Sequence, residues 1–122
     1  MCNEGFFQIL VSGDRSFHDY EMLERTLDKL LINIHDEILV ICGMSGGAET
    51  LAELYAKLHD YGILYYPTDS DNFGERAEEA RNLEMVNAAD AAVLFWDGID
   101  PETQNMINLV LQQKVRARVR KY

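Results

Sequence analysis

Cysteine is scarce in this chain: its 122 residues include only Cys2 and Cys42, which form no C-x-x-C pair, so neither a disulfide framework nor a metal site is expected. Cys42 reads as a small core hydrophobe. No apolar run approaches the length of a membrane span, and MCNEGFFQIL has no basic stretch ahead of its apolar residues. The expected location is therefore cytoplasmic, with no membrane partner. Positive charge is the next shortage. Eleven Lys and Arg stand against 21 Asp and Glu, a net charge of −10, which opposes non-specific nucleic-acid binding because that binding rests on neutralised phosphates. Five of the eleven (Lys114, Arg116, Arg118, Arg120 and Lys121) close the chain, leaving six against 21 before them, a net of −15. In KVRARVRKY the apolar Val115, Ala117 and Val119 alternate with arginines, which predicts a half-buried strand whose basic outer face blunts a sheet edge.

What is present is globular. Hydrophobic residues make up 48% and charged residues 26%, enough for one domain over residues 1–122 with a single core, and no repeat or linker interrupts it. The organising stretch is Ile38 to Glu53, ILVICGMSGGAETLAE. Ile38 to Cys42 has the length and β-branched content of a strand buried on both faces. Gly43, Gly46 and Gly47 allow a sharp turn, and Ala48, Leu51, Ala52 and Tyr55 then recur at helical spacing. A strand, glycine turn and helix place free N–H groups and the positive end of a helix dipole at one spot, an arrangement suited to a phosphate.

The remaining elements alternate. Phe6 to Ser12 predicts the first strand, and Gly13-Asp14-Arg15 the turn out of it. Leu23, Leu27, Leu30, Leu31 and Ile34 mark a helix capped by Asp19 and ending near His35-Asp36. The helix after the glycine turn is expected to run to about Tyr61, with Gly62 as its stop, and Ile63 to Tyr66 to form a third strand. TDSDNFGE reads as a loop. A helix follows from Glu75 to about Ala89, burying Ala80, Leu83 and Val86, and then a strand from Ala91 to Trp96. Asp100-Pro101 opens the last helix, with Met106, Ile107, Val110 and Leu111 inward. The pattern predicts an α/β, Rossmann-like three-layer sandwich with a mostly parallel five-stranded sheet and four helices. Ligands of such folds lie beyond the carboxyl ends of the strands, where Gly13 to Arg15, Gly43 to Glu49 and Asp97 to Thr103 should converge.

Several sharper motifs fail on inspection. Gly43-Met44-Ser45-Gly46-Gly47 fits G-x-S-x-G, but the only later histidine, His59, lies on the helix that starts at this turn, so a hydrolase triad has no base. No Gly-Lys-Ser/Thr follows the glycines, which removes the P-loop. Asp69, Asp71 and Gly74 begin like a calcium loop, yet Phe73 and Ala80 occupy ligand positions. No metal and no cofactor are expected.

The turns resemble, as a set, the SLOG superfamily and within it the small YspA-like, YpsA-related proteins. The resemblance rests on Gly13-Asp14-Arg15-Ser16-Phe17, Gly43 with Gly47-Ala48-Glu49, Arg81-Asn82-x-x-Met85, Ala89-Asp90-Ala91 and Phe95-Trp96-Asp97-Gly98, spread from residue 9 to residue 110. It implies a nucleotide or nucleotide-derived ligand, bound by a module that senses, carries or sequesters it, and a possible homodimer. The residues it implies, together with the turns, are Gly13, Asp14, Arg15, Gly43, Met44, Ser45, Gly46, Gly47, Glu49, Arg81, Asn82, Asp97, Gly98 and Thr103. Glu49 and Asp14 depart from the family's usual Asp and Ser, and Glu102 stands where a second glycine is common. Phosphoribohydrolases of the superfamily pair an arginine, matched here by Arg81, with a glutamate whose position falls on Met106. Catalysis by Arg81 and Glu102 is therefore the alternative, and an acidic inhibitor that binds a protein is the third reading.

Overall fold

The computed structural model describes residues 5–43 and 46–122. Five strands, β1 (Phe6–Gly13), β2 (Glu37–Cys42), β3 (Gly62–Tyr65), β4 (Ala91–Trp96) and β5 (Arg116–Lys121), alternate with helices α1 (Tyr20–Leu31), α2 (Ala48–Leu58), α3 (Ser70–Phe73), α4 (Ala77–Ala88) and α5 (Pro101–Gln112). The sheet has the order β3-β2-β1-β4-β5, and all four pairings are parallel. The chain builds outward from β1 to β3, then returns to add β4 and β5 on the other side, so the order reverses between β1 and β4. Four helices of eleven or twelve residues match the expected ones. The fifth is a single turn inside the segment read as a loop, nucleated where Asp69 accepts from the Asn72 amide at 3.2 Å, and a 3₁₀ turn, Gly74–Arg76, links it to α4.

Alternation along the strands divides the core into two layers. On one face Ile9, Val11, Val40, Val93 and Phe95 pack with Leu23, Leu27 and Leu31 of α1 and with Ala48, Ala52 and Tyr55 of α2. On the other, Leu10, Ile41, Ala92 and Leu94 meet Met85 and Val86 of α4 and Met106, Ile107 and Val110 of α5. Both faces of β1, β2 and β4 are covered, which is why these strands read as unbroken apolar runs.

Two boundaries and three faces differ from the sequence reading. α1 stops at Leu31, and Ile34 closes a turn by donating to the Leu31 carbonyl at 3.0 Å. α2 stops at Leu58, where Asp60 takes the left-handed conformation (φ 60°) and the Tyr61 amide donates to the Ala56 carbonyl at 2.8 Å. That Schellman closure does what Gly62 was expected to do, and leaves Gly62 free to open β3. Leu83 and Leu111 are 40% and 64% exposed. Each lies just off the buried stripe of its helix, which runs through Ala77, Arg81 and Met85 in α4 and through Thr103, Met106, Ile107 and Val110 in α5. Finally, β5 is exposed along its whole length rather than half-buried.

Candidate functional site

The site grows from the end of β1. Gly13 (φ 150°) lies against the backbone of Phe95, and a Cβ there would overlap it. The Asp14 amide then donates to the Phe95 carbonyl at 3.0 Å, and the Asp14 side chain turns inward and is 2% exposed. A buried carboxylate needs several donors. It accepts from Thr103 Oγ1 at 2.5 Å, from the Asp97 amide at 2.8 Å and from the Tyr122 hydroxyl at 2.6 Å. One carboxylate therefore joins the ends of β1 and β4, the first turn of α5 and the residue after β5. The Tyr122 ring lies edge-on to Phe17 (4.9 Å between centroids), and Phe17 stacks on Phe95 at 4.5 Å.

The glycine turn meets the same hub from the β2 side. Gly47 (φ 57°) sits against the backbone of Asp14 and Arg15, with no room for a Cβ. The Ala48 amide donates to the Asp14 carbonyl at 3.3 Å and the Glu49 amide to the Gly46 carbonyl at 3.2 Å. Two N–H groups at the start of α2 are thus engaged by backbone oxygens. The start of α5 is likewise capped from within, since Asp100 accepts from the Thr103 amide at 3.1 Å. Asp97 in turn accepts from the amides of Asp100 and Ile99, both at 2.8 Å, and these bonds, the Asp100 one first, hold its carboxyl below the ordinary range.

Between these turns and α4 lies a cavity of about 260 Å³. Ser12 and Glu49 form its floor: the Ser12 hydroxyl donates to the Glu49 carboxylate at 3.1 Å, and Glu49 is 4% exposed. Arg81 enters from α4. It is buried, donates through Nη1 to the Gly43 carbonyl and through Nε to the Asn82 side chain at 2.9 Å. Glu49 Oε1 and Arg81 Nη1 both crowd the side of Gly43 where a Cβ would stand, 2.9 and 3.1 Å from that point. Any side chain at residue 43 would have to displace them. Across the mouth, Arg15 reaches Glu78 of α4 and Glu102 of α5, each at 3.6 Å. Cys42, below Glu49, has its thiol pushed up to about 12, first by burial and then by Glu49.

Of the residues singled out in the sequence, Gly13, Arg15, Glu49, Arg81, Asn82 and Thr103 line this cavity, and so does Glu102. Gly43 is bonded to Arg81, while Gly46 and Gly47 shape the turn behind it. Asp14, Asp97 and Gly98 fall on the far side of the β1 turn, where Gly98 lies near Lys121. Met44 and Ser45 lie outside the described residues. Sequence reasoning missed Ser12, Glu75, Glu78, Glu79 and Asn105. Ser12 carried a signal, being a lone hydroxyl at the carboxyl end of an apolar strand; the others are polar residues on exposed helical faces and carried none.

The pattern of one family runs through this geometry: that of the YspA, cpYpsA-related SLOG proteins matches residues 7–73, more than half of the chain. The chain belongs to this family. The SLOG match spans β1 to α3, so it holds the β1 turn, the glycine turn and Glu49 but not Arg81, Asn82 or Thr103. No curated protein sequence matches the chain. Among solved structures it is similar to DNA processing protein A (DprA) from Streptococcus pneumoniae, with a TM-score of 0.54 and 12% identity over 94% of this chain and 59% of that one. The chain thus spans little more than half the length of that protein, and the likeness is one of fold. The SLOG fold accounts for the cavity's place, beyond the carboxyl ends of the strands and beside the β1/β4 reversal.

Proposed function

We propose that the cavity binds a nucleotide-derived molecule of mononucleotide size, and that the protein senses, carries or sequesters it. The observation that carries this reading is the buried polar cluster beside Gly43 that lines the cavity: a carboxylate, Glu49, supported by Ser12, and a guanidinium, Arg81. Such a pair offers an acceptor for ribose hydroxyls and a donor fork for a base edge or a phosphate. Size supports a small ligand, because about 260 Å³ is near the lower limit of ligand pockets. Charge supports a ligand with little negative charge. The lining carries five carboxylates, Glu49, Glu75, Glu78, Glu79 and Glu102, against the guanidiniums of Arg15 and Arg81. A triphosphate would meet mostly like charge, whereas a single phosphate at Arg15 would replace two exposed ion pairs that contribute little by themselves.

Binding is favoured over catalysis by Met106, which is 4% exposed and lines the cavity where the related hydrolases have glutamate. A thioether moves no proton, and loss of a positioned acid or base costs about 10²- to 10⁴-fold in rate. Calorimetry with adenosine, AMP, GMP, ADP-ribose, NAD and ATP tests the reading. A nucleoside or monophosphate should bind more tightly than ATP or NAD, and Glu49→Gln and Asn82→Ala should each weaken it. Binding of none of them below millimolar concentration would sink the proposal, as would a preference for ATP. Release of free base from AMP over many turnovers would make this protein an enzyme.

A further inference from the structure

β5 is a basic ribbon at the sheet edge. Residues paired across parallel strands point to the same face, and Val93 and Phe95, which face α1, pair with Arg118 and Arg120. Arg116, paired with Ala91, shares that face, so three guanidiniums stand in line at a spacing of roughly 6.6 Å, two residues of strand. All three residues are exposed. Among the described residues none has an ion-pair partner, although acidic residues outnumber basic ones by 21 to 11. Arg116 and Arg118 border a groove of about 180 Å³ whose other wall is apolar: Phe7 of β1, Leu30 of α1 and Ile34 just beyond that helix. Here the helical layer stops. α1 covers β1 and β4, and no described helix covers β5 on this face.

We propose that this face of β5 is a docking surface for an acidic amphipathic segment of a partner protein. Its apolar side chains enter the groove against Phe7, Leu30 and Ile34, and its carboxylates meet Arg116, Arg118 and Arg120. Charge selects the occupant. A two-fold pairing with a second copy would set arginine against arginine, and a head-to-tail pairing through an acidic helix would give a ring or an open filament rather than a two-fold dimer. Nucleic acid fits less well, because the groove offers it no open aromatic platform, the ring of Tyr122 being packed against Phe17.

The test uses the full chain and a fluorescent peptide that repeats Glu and Leu at helical spacing, read by anisotropy. Controls are a peptide with Gln in place of Glu, a polyglutamate of equal charge and a single-stranded oligothymidylate. The Glu/Leu peptide should bind best, and the exposed pair Arg116→Gln/Arg118→Gln should weaken it about three- to tenfold, consistent with two surface charge contacts. Added salt should weaken it further. Three results would overturn the proposal: no binding of the Glu/Leu peptide, unchanged binding by the double variant, or tighter binding of the oligothymidylate. Light scattering that shows the wild type alone self-associating, with the double variant monomeric, would also overturn it by assigning the face to a second copy.

Discussion

Arg81 in the middle of α4 donates to the carbonyl of Gly43 at the end of β2, so one side chain both ties the helix to the sheet and presents a charge to the cavity. Arg81→Ala should cost roughly 1.5–3 kcal/mol, the range for hydrogen bonds to charged groups, seen as a lower urea midpoint with little change in slope. Arg81→Lys keeps the charge but not the planar fork, and should recover less than half of that loss. A wild-type midpoint for Arg81→Ala would show that the Gly43 bond contributes nothing to stability.

The hub at Asp14 gives a second expectation. Asp14→Ala leaves the Asp97 amide and the Tyr122 hydroxyl without their acceptor and Thr103 Oγ1 with Asp100 alone, and should destabilise the protein by roughly 2–4 kcal/mol. Tyr122→Phe removes one of these bonds and should cost about 1 kcal/mol. The two changes share one contact, so the double variant should be less destabilised than the sum of the single ones; simple additivity in a denaturation cycle would contradict the hub.

Alkali should destabilise the fold before it denatures the chain in other ways. Burial, then Glu49 and Glu53, raise the Cys42 thiol from an ordinary 9.0 to about 12. A raised native value means that this contribution is complete below pH 9 and is lost as the pH climbs through 12. Tyr122, raised by burial and by its bond to Asp14, acts with the same sign. The melting temperature should therefore fall steadily above pH 9. In a Cys2→Ser background, iodoacetamide should label Cys42 at pH 8 only after urea is added; rapid labelling of the native protein would refute the buried thiol.

Lys114 closes α5 in the left-handed conformation (φ 59°), with the Val115 amide donating to the Val110 carbonyl at 3.1 Å. A side chain at this position costs about 1 kcal/mol that glycine avoids. Lys114→Gly should raise stability by about 0.5–1 kcal/mol, whereas Asp60→Gly should gain less because aspartate tolerates this region better. A loss of stability in Lys114→Gly, measured by urea unfolding, would refute the assignment.

Much of the fold was legible because strands buried on both faces leave continuous apolar runs and the helices leave stripes. Asp19 and Asp100 both cap as their positions suggested, accepting from Met22 and Thr103. Tertiary context decided the rest. Nothing in TDSDNFGE separates a loop from one helical turn, and alternation in KVRARVRKY cannot say whether any layer covers the strand. At the site, local motifs named Arg15, Glu49 and Arg81. They could not show that Asp14 turns away from the cavity, because its three partners are 83 to 108 residues distant in sequence.

The strand order also sets a timetable for folding. β1, β2 and β3 are joined by short crossovers and can zip together from neighbouring segments. β4 must instead return to β1 across a separation of 82 residues, where the Gln8 amide meets the Asp90 carboxylate at 2.8 Å. Closing so long a loop costs entropy before any contact repays it, which slows the step. Because Thr103 and the Asp97 amide reach Asp14 only after that return, the cavity is completed only then, and a nascent chain that has made only its first three strands lacks the walls that α4 and α5 supply.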